Sequence, residues 1–166
     1  MQLHNLAVYK GWSELIATNV ALQRNRNHPY NASRLTIADD VQKLHEWYRD
    51  KTPTVYTLGE RAVMLAFAHF TFEQSDSRES SHIFDIEIYG DEARKSLPNA
   101  FMEAIHYDLL IHSQYYGDIW SVAGEHDVAK LRVLQNGGYR PQATYDDSNG
   151  SRSLLLRRGV KNFGID

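Results

Sequence analysis

Asp85 and Glu87 are the first side chains here that could do acid–base work. They alternate with Phe84, Ile86 and Ile88 in the run His-Ile-Phe-Asp-Ile-Glu-Ile-Tyr (82–89), so a strand puts both carboxylates on one face with Tyr89. A carboxylate so placed can take a proton from an amine, directly or through water. Glu103-Ala-Ile-His106 has the spacing that sets a carboxylate and an imidazole on one helix face, as in di-iron bundles. No second copy occurs, and His106 and His112 face different sides of a helix, so no metal set is expected from the eight histidines. Arg24, Arg26 and His28, interleaved with asparagines, can meet an anionic partner, but the expectation is a solvated helix end. The chain has no cysteine, which excludes thiolate nucleophiles, disulfides and Cys-ligated metal. Gly-x-Ser-x-Gly, the phosphate-binding Gly-rich Lys-Ser/Thr loop and Gly-x-Gly-x-x-Gly are also missing, which argues against the commonest hydrolase, NTPase and dinucleotide designs.

The elements that position these groups belong to a chain of 166 residues, 42% apolar and 23% charged. That is a globular composition, long enough for one domain with a substantial core. We expect a single domain over residues 1–166, with 1–34 the least patterned stretch and 159–166 a short tail. The longest apolar runs, such as Ala62 to Ala68, are too short to cross a bilayer. The start, MQLHNLAVYKGWSEL, lacks the basic head and apolar centre of a signal peptide, so the expectation is a soluble, cytoplasmic protein. The formal charge is −3, unevenly spread: residues 127–166 hold seven basic and four acidic side chains. A bias of that size reads as a solvated face rather than a nucleic-acid surface.

Apolar periodicity predicts a helix over Trp12 to Gln23, with Trp12, Leu15, Ile16, Val20 and Ala21 on its inner side and the polar run into Pro29 ending it. A second helix starts near Thr36 as cap, turns Ile37, Val41, Leu44 and Tyr48 inward, and ends before Pro53. The period then changes. Thr54–Leu58 reads as a strand, Gly59-Glu60 as a turn, and Ala62–Phe72 and His82–Tyr89 as two more strands around the polar loop of Gln74–Ser80. A long helix follows, capped by Ser96 and stopped by Gly117, with Leu97, Phe101, Ala104, Ile105 and Leu109 as its stripe. Ile119–Ala123 is a strand, Val128–Gln135 a short helix, and Tyr139–Tyr145 and Arg152–Arg157 the last strands. This order gives an α+β, three-layer (α/β/α) arrangement with a mixed sheet, mostly antiparallel.

The element order, and residues 118–145 above all, resembles the GNAT superfamily of N-acetyltransferases. Asp127-Val-Ala-Lys-Leu-Arg-Val-Leu-Gln-Asn-Gly-Gly138-Tyr139-Arg140-Pro141 has the form of the family's late signature, a short helix followed by Gly-Phe or Gly-Tyr opening a strand. Its Leu-Arg-Val-Leu stretch before Gly-Tyr is similar to divergent members encoded by bacteriophages. The resemblance implies acetyl-CoA as co-substrate, held where two parallel strands splay apart. Strand backbone at Ile88, Tyr89 and Gly90 would bond the pantetheine, and Arg94, Lys95 and Ser96 before the next helix would receive the pyrophosphate. In the matching run Arg94-Lys95-Ser96-Leu97-Pro98-Asn99, Leu97 and Asn99 stand where the family has small residues, and Pro98 removes a donor. Many members carry a tyrosine four residues before the glycine of Gly-Phe to protonate the departing thiolate, and that position here is Leu134.

The resemblance therefore implies an acyltransferase moving an acetyl group from acetyl-CoA to an amine on a small molecule or protein, with Glu87 or Asp85 as base. The substituted turn and the missing tyrosine keep a second reading open: a protein of the same fold that has lost acetyl transfer and acts as a binding, inhibitory or particle protein. A third is modification of a nucleic-acid base, which predicts affinity for nucleic acid falling steeply with salt.

Overall fold

A computed structural model describes residues 6–26, 34–60, 63–74, 80–89, 97–111, 118–146 and 150–159. Its elements run β1 (Leu6–Lys10), α1 (Glu14–Arg26), α2 (Arg34–Lys51), β2 (Thr54–Glu60), β3 (Val63–Gln74), β4 (Ser80–Ile88), α3 (Leu97–Ile111), β5 (Ile119–Gly124), α4 (Val128–Asn136), β6 (Arg140–Asp146) and β7 (Arg152–Arg158). The strands form one sheet in the order β1-β2-β3-β4-β5-β7-β6. Each neighbouring pair is antiparallel except β4 and β5, which run parallel. Among the described residues no helix is long and apolar enough to cross a membrane.

Period-two patterning sends alternate residues of the central strands into two separate cores. Phe84 and Ile86 of β4 join Phe101, Met102, Ile105 and Leu109 of α3 and Val133 and Leu134 of α4 on one face. Phe67 and Tyr89 join Ile16, Ala17, Val20 and Ala21 of α1 and Leu44 of α2 on the other. The result is the expected three-layer arrangement, with one helix pair on each face of the sheet.

Several local expectations are corrected. β1 was not foreseen: Leu6–Lys10 lies antiparallel to β2 at the sheet edge, where Val8 and Tyr9 stay exposed and the chain shows no clean alternation. Gly59 and Glu60 do not turn the chain but continue β2, which absorbs a register shift between Leu58 and Gly59. Arg24, Asn25 and Arg26 do not end α1 but form its last turn. Asn25 is buried there because its amide nitrogen donates to Ala21 O at 2.8 Å and to Asp40 Oδ2 at 3.0 Å, so its polarity is satisfied inside. Thr36 sits inside α2 rather than capping it. Leu15 is 70% exposed and Ala17 fully buried, so the inner face of α1 is rotated from the one expected. On α3, Met102 and His106 are buried in place of Ala104. The cap at Ser96 and the stop at Gly117 lie outside the described residues.

α4 carries the signals read for it. Asp127 caps it, its Oδ1 accepting from Lys130 N at 3.2 Å. Gly138, at φ +95°, takes the chain out of the helix in a conformation that a side chain would strain. Tyr139 then enters the core completely. Its hydroxyl lies 2.7 Å from His106 Nε2, and His106 Nδ1 lies 2.8 Å from Met102 O. A carbonyl only accepts, so Nδ1 carries the proton and the Tyr139 hydroxyl donates to Nε2.

This buried imidazole makes stability acid-sensitive. Burial, aided by the charge of Arg158, pushes the His106 pKa down from 6.5 to about 3. His106 is thus neutral in the folded chain, whereas the unfolded chain takes up a proton below about pH 6.5. Its contribution is complete above that pH and declines as the pH falls towards 3, by about 1.4 kcal/mol per pH unit. Denaturant titrations between about pH 6.5 and 4.5 are expected to show this slope, and His106→Gln to flatten it. An identical slope in the variant would place the acid sensitivity elsewhere.

Candidate active site

β4 and β5 pair only at His82↔Ile119 and Ile83↔Trp120, then part. Beyond that point β4 keeps its ladder to β3 on one edge, through Ile86↔Ala68, Glu87↔Phe67 and Ile88↔Ala66. Its other edge, towards β5, carries no strand among the described residues. α4 stands beside the opening, and a cleft of about 190 Å³ is lined by Ile86–Tyr89 of β4 with Asp127, Ala129 and Lys130. One buried hydroxyl lining this cleft, Tyr89 Oη, has no hydrogen-bond partner. Burying a hydroxyl without a partner is unfavourable, and it marks a place where a polar ligand gains by binding.

A second cleft, of about 360 Å³, opens on the α1–α2 side of the sheet, lined by Arg24, Asp40, Lys43, Leu44, Trp47 and His69. The His69 ring packs edge-on to Trp47 at 4.9 Å between centroids, and His69 Nδ1 is buried without a partner. Glu87 connects the two clefts. Its carboxylate accepts from Arg24 Nε at 2.8 Å and from an Arg24 terminal nitrogen at 2.6 Å, a bidentate pair reaching from α1 to β4. Glu87 thus lines the first cleft while its partner lines the second.

Asp85 is held differently. Its Oδ1 accepts from Lys130 Nζ at 2.5 Å, and its Oδ2 lies 3.7 Å from His69 Nε2, an ion-pair distance rather than a hydrogen bond. Burial alone would raise the Asp85 pKa, but His69 and Lys130 outweigh it and bring the group to about 2. Asp85 therefore stays anionic and is a weak proton acceptor. Tyr89, which follows on the same face, has its pKa pushed up by burial and then by the charge of Glu87, so its hydroxyl keeps its proton.

The structure places Asp85, Glu87 and Tyr89 on one face of β4 and its end, as the alternation implied, with Ile88 turned to the opposite face. Gly90, Arg94, Lys95 and Ser96 lie outside the described residues. Leu134, at the position of the absent tyrosine, is fully buried in the core. Sequence reasoning missed Arg24, His69 and Lys130 as members of the site. Arg24 was read as part of a solvated helix end, and instead clamps a carboxylate 63 residues away. Only a local signal existed for Lys130, the cap at Asp127 that fixes where α4 begins.

No family model matches the chain, and no curated relative does. Solved structures match along nearly its whole length. The aminoglycoside acetyltransferase AAC(6')-Ib, in complex with paromomycin and acetyl-CoA, superposes with a TM-score of 0.73 at 16% identity, covering 97% of both chains. Ribosomal-protein-S5-alanine acetyltransferase from Vibrio fischeri gives 0.70 at 11% identity, covering 98% of this chain and 97% of its own. A protein from Bordetella pertussis assigned to the GNAT family gives 0.67 at 14% identity, covering 96% and 98%. Sheet order, the parting of β4 from β5 and these superpositions agree: the chain has the fold of the GNAT acetyltransferases.

Proposed function

We propose that this protein transfers an acetyl group from acetyl-CoA to an amine. The observation that carries the reading is the parting of β4 and β5 beside Glu87, which leaves strand backbone and a carboxylate on one cleft. The residues present suit the co-substrate. Backbone of Ile88 on the unpaired edge suits a pantetheine amide, whereas the Tyr89 N–H is already given to Leu65 O of β3 at 2.9 Å, and Gly90, Arg94, Lys95 and Ser96 come next in the chain for the phosphates. Acetyl-CoA supplies the activated acyl group, and everything else falls to the chain. Glu87 takes the proton of the attacking amine at its carboxylate, with Arg24 fixing the orientation of that group. Asp85, anionic and tied to Lys130, supplies fixed charge beside it. The wider cleft at Trp47, Leu44 and Lys43 receives the acceptor, which the aminoglycoside-bound neighbour makes a small amine-bearing molecule by analogy.

The test pairs calorimetry with a free-CoA assay over a panel of amines. Micromolar binding of acetyl-CoA and amine-dependent release of CoA are expected. Arg94→Ala is expected to weaken CoA binding by about 10- to 100-fold, because charge-assisted bonds to the phosphates must replace those that glycine amides make elsewhere. The second reading, a protein of this fold without acetyl transfer, is favoured by the burial of Leu134 and by the full engagement of Glu87 with Arg24. It predicts no detectable CoA binding in the same titration.

A further inference from the structure

We propose that Lys130 is the general acid of this reaction, protonating the sulfur as the thiol leaves. The inference rests on the acyl-transfer reading and adds a proton donor on α4, where Leu134 stands in place of a tyrosine. Leu134 has no proton to give and faces the core. Lys130 lies one helical turn before it and lines the cleft instead. Its Nζ sits on Asp85, two residues beyond the last paired position of β4, and therefore at the closed end of the opening between the strands. The other, open end is where β4 finishes at Ile88. On the acyl-transfer reading, pantetheine entering there and running back along β4 brings the sulfur to the closed end, beside Lys130.

The surroundings suit a donor. The Lys130 side chain is only 19% exposed, and Asp85 holds its ammonium in place. An ammonium has three N–H donors and Asp85 Oδ1 accepts from one of them, so donors remain to face the cleft. Charged or titratable groups facing this cleft are Asp85 and Tyr89 of β4 and its end, His69 of β3 behind them, Glu87 with Arg24 of α1, and Asp127 at the start of α4. In the step itself the bond from the acceptor nitrogen to the acyl carbon forms and the carbon–sulfur bond breaks. Sulfur leaves with the electron pair and takes a proton from Nζ, while the amine proton goes to Glu87. Glu87 then releases its proton to solvent and Lys130 takes one up from solvent, which restores both groups.

The experiment compares wild type, Lys130→Met and Lys130→Arg in three readouts: amine-dependent CoA release, acetyl-CoA affinity, and the affinity for CoA relative to desulfo-CoA between about pH 6 and 9. A cation beside sulfur favours the thiolate, so wild type should prefer CoA over desulfo-CoA increasingly as pH rises, by about 10-fold near pH 8. Lys130→Met is expected to abolish that preference and to lower turnover about 100-fold, with acetyl-CoA affinity changed little. Lys130→Arg should keep the preference and the thermal midpoint, because the charge and the pair with Asp85 remain. Its turnover should still fall at least about 10-fold, because guanidinium is a poor acid. Full turnover in Lys130→Arg, or an unchanged preference in Lys130→Met, overturns the assignment and leaves acyl transfer standing. The preference is read without an acceptor, so it decides the role of Lys130 even if no amine in the panel reacts. A wild type that binds no CoA overturns both readings.

Discussion

Replacing Glu87 by glutamine is expected to lower kcat/KM for acetyl transfer by about 100-fold or more while the protein stays folded. Glutamine keeps the shape and one acceptor oxygen for Arg24, but it cannot take the amine proton. The Arg24 side chain is 43% exposed, so the loss of its partner is screened by water and the stability change should stay within about 1 kcal/mol. Steady-state kinetics, with melting curves alongside, make the measurement. Turnover within about threefold of wild type would remove Glu87 as the base and direct attention to His69 on the neighbouring strand β3.

Phe84→Ala should bring the largest loss of stability, about 3–5 kcal/mol, or a fall of roughly 10 °C in melting temperature. Phe84 is fully buried, stacked on Tyr139 at 5.9 Å and edge-on to His106 at 5.1 Å. Removing the ring leaves a cavity beside a buried tyrosine–histidine pair whose hydrogen bond depends on that packing. The position also has a functional consequence. Phe84 immediately precedes Asp85 on β4, so loosening its face of the sheet loosens the strand that aims both carboxylates. Activity should therefore fall even well below the melting temperature. Tyr139→Phe removes only the hydroxyl and is expected to cost less, about 1–3 kcal/mol, through the His106 nitrogen left unpaired. Equal melting temperatures for Phe84→Ala and wild type would show that the core there repacks without loss.

Most elements were legible because their signals are local. The two-residue period through 82–89 sorts Phe84 and Ile86 from Asp85 and Glu87 whatever they meet, since a pleated strand sends successive side chains to opposite faces. Asp127 and Gly138 bound α4 by capping chemistry that needs only a few neighbouring residues. β1 was not legible, because Val8, Tyr9 and Lys10 of this five-residue edge strand are all exposed and impose no period. The inner face of α1 was misjudged for a related reason. Small residues such as Ala17 are buried where helix and sheet approach closely, and a pattern of large apolar side chains does not register them.

What the sequence by itself determined, then, was the order of elements after β1 and the pair of carboxylates sharing a strand face. The tertiary structure alone decided their chemistry. Asp85 and Glu87 read as equivalent candidates, two residues apart on one face. They differ because Lys130 and His69 hold the first as a fixed anion, while Arg24 grips the second where two clefts meet. Those partners arrive from α4, β3 and α1, and a proton affinity depends on charges within a few ångströms rather than on neighbours in the chain.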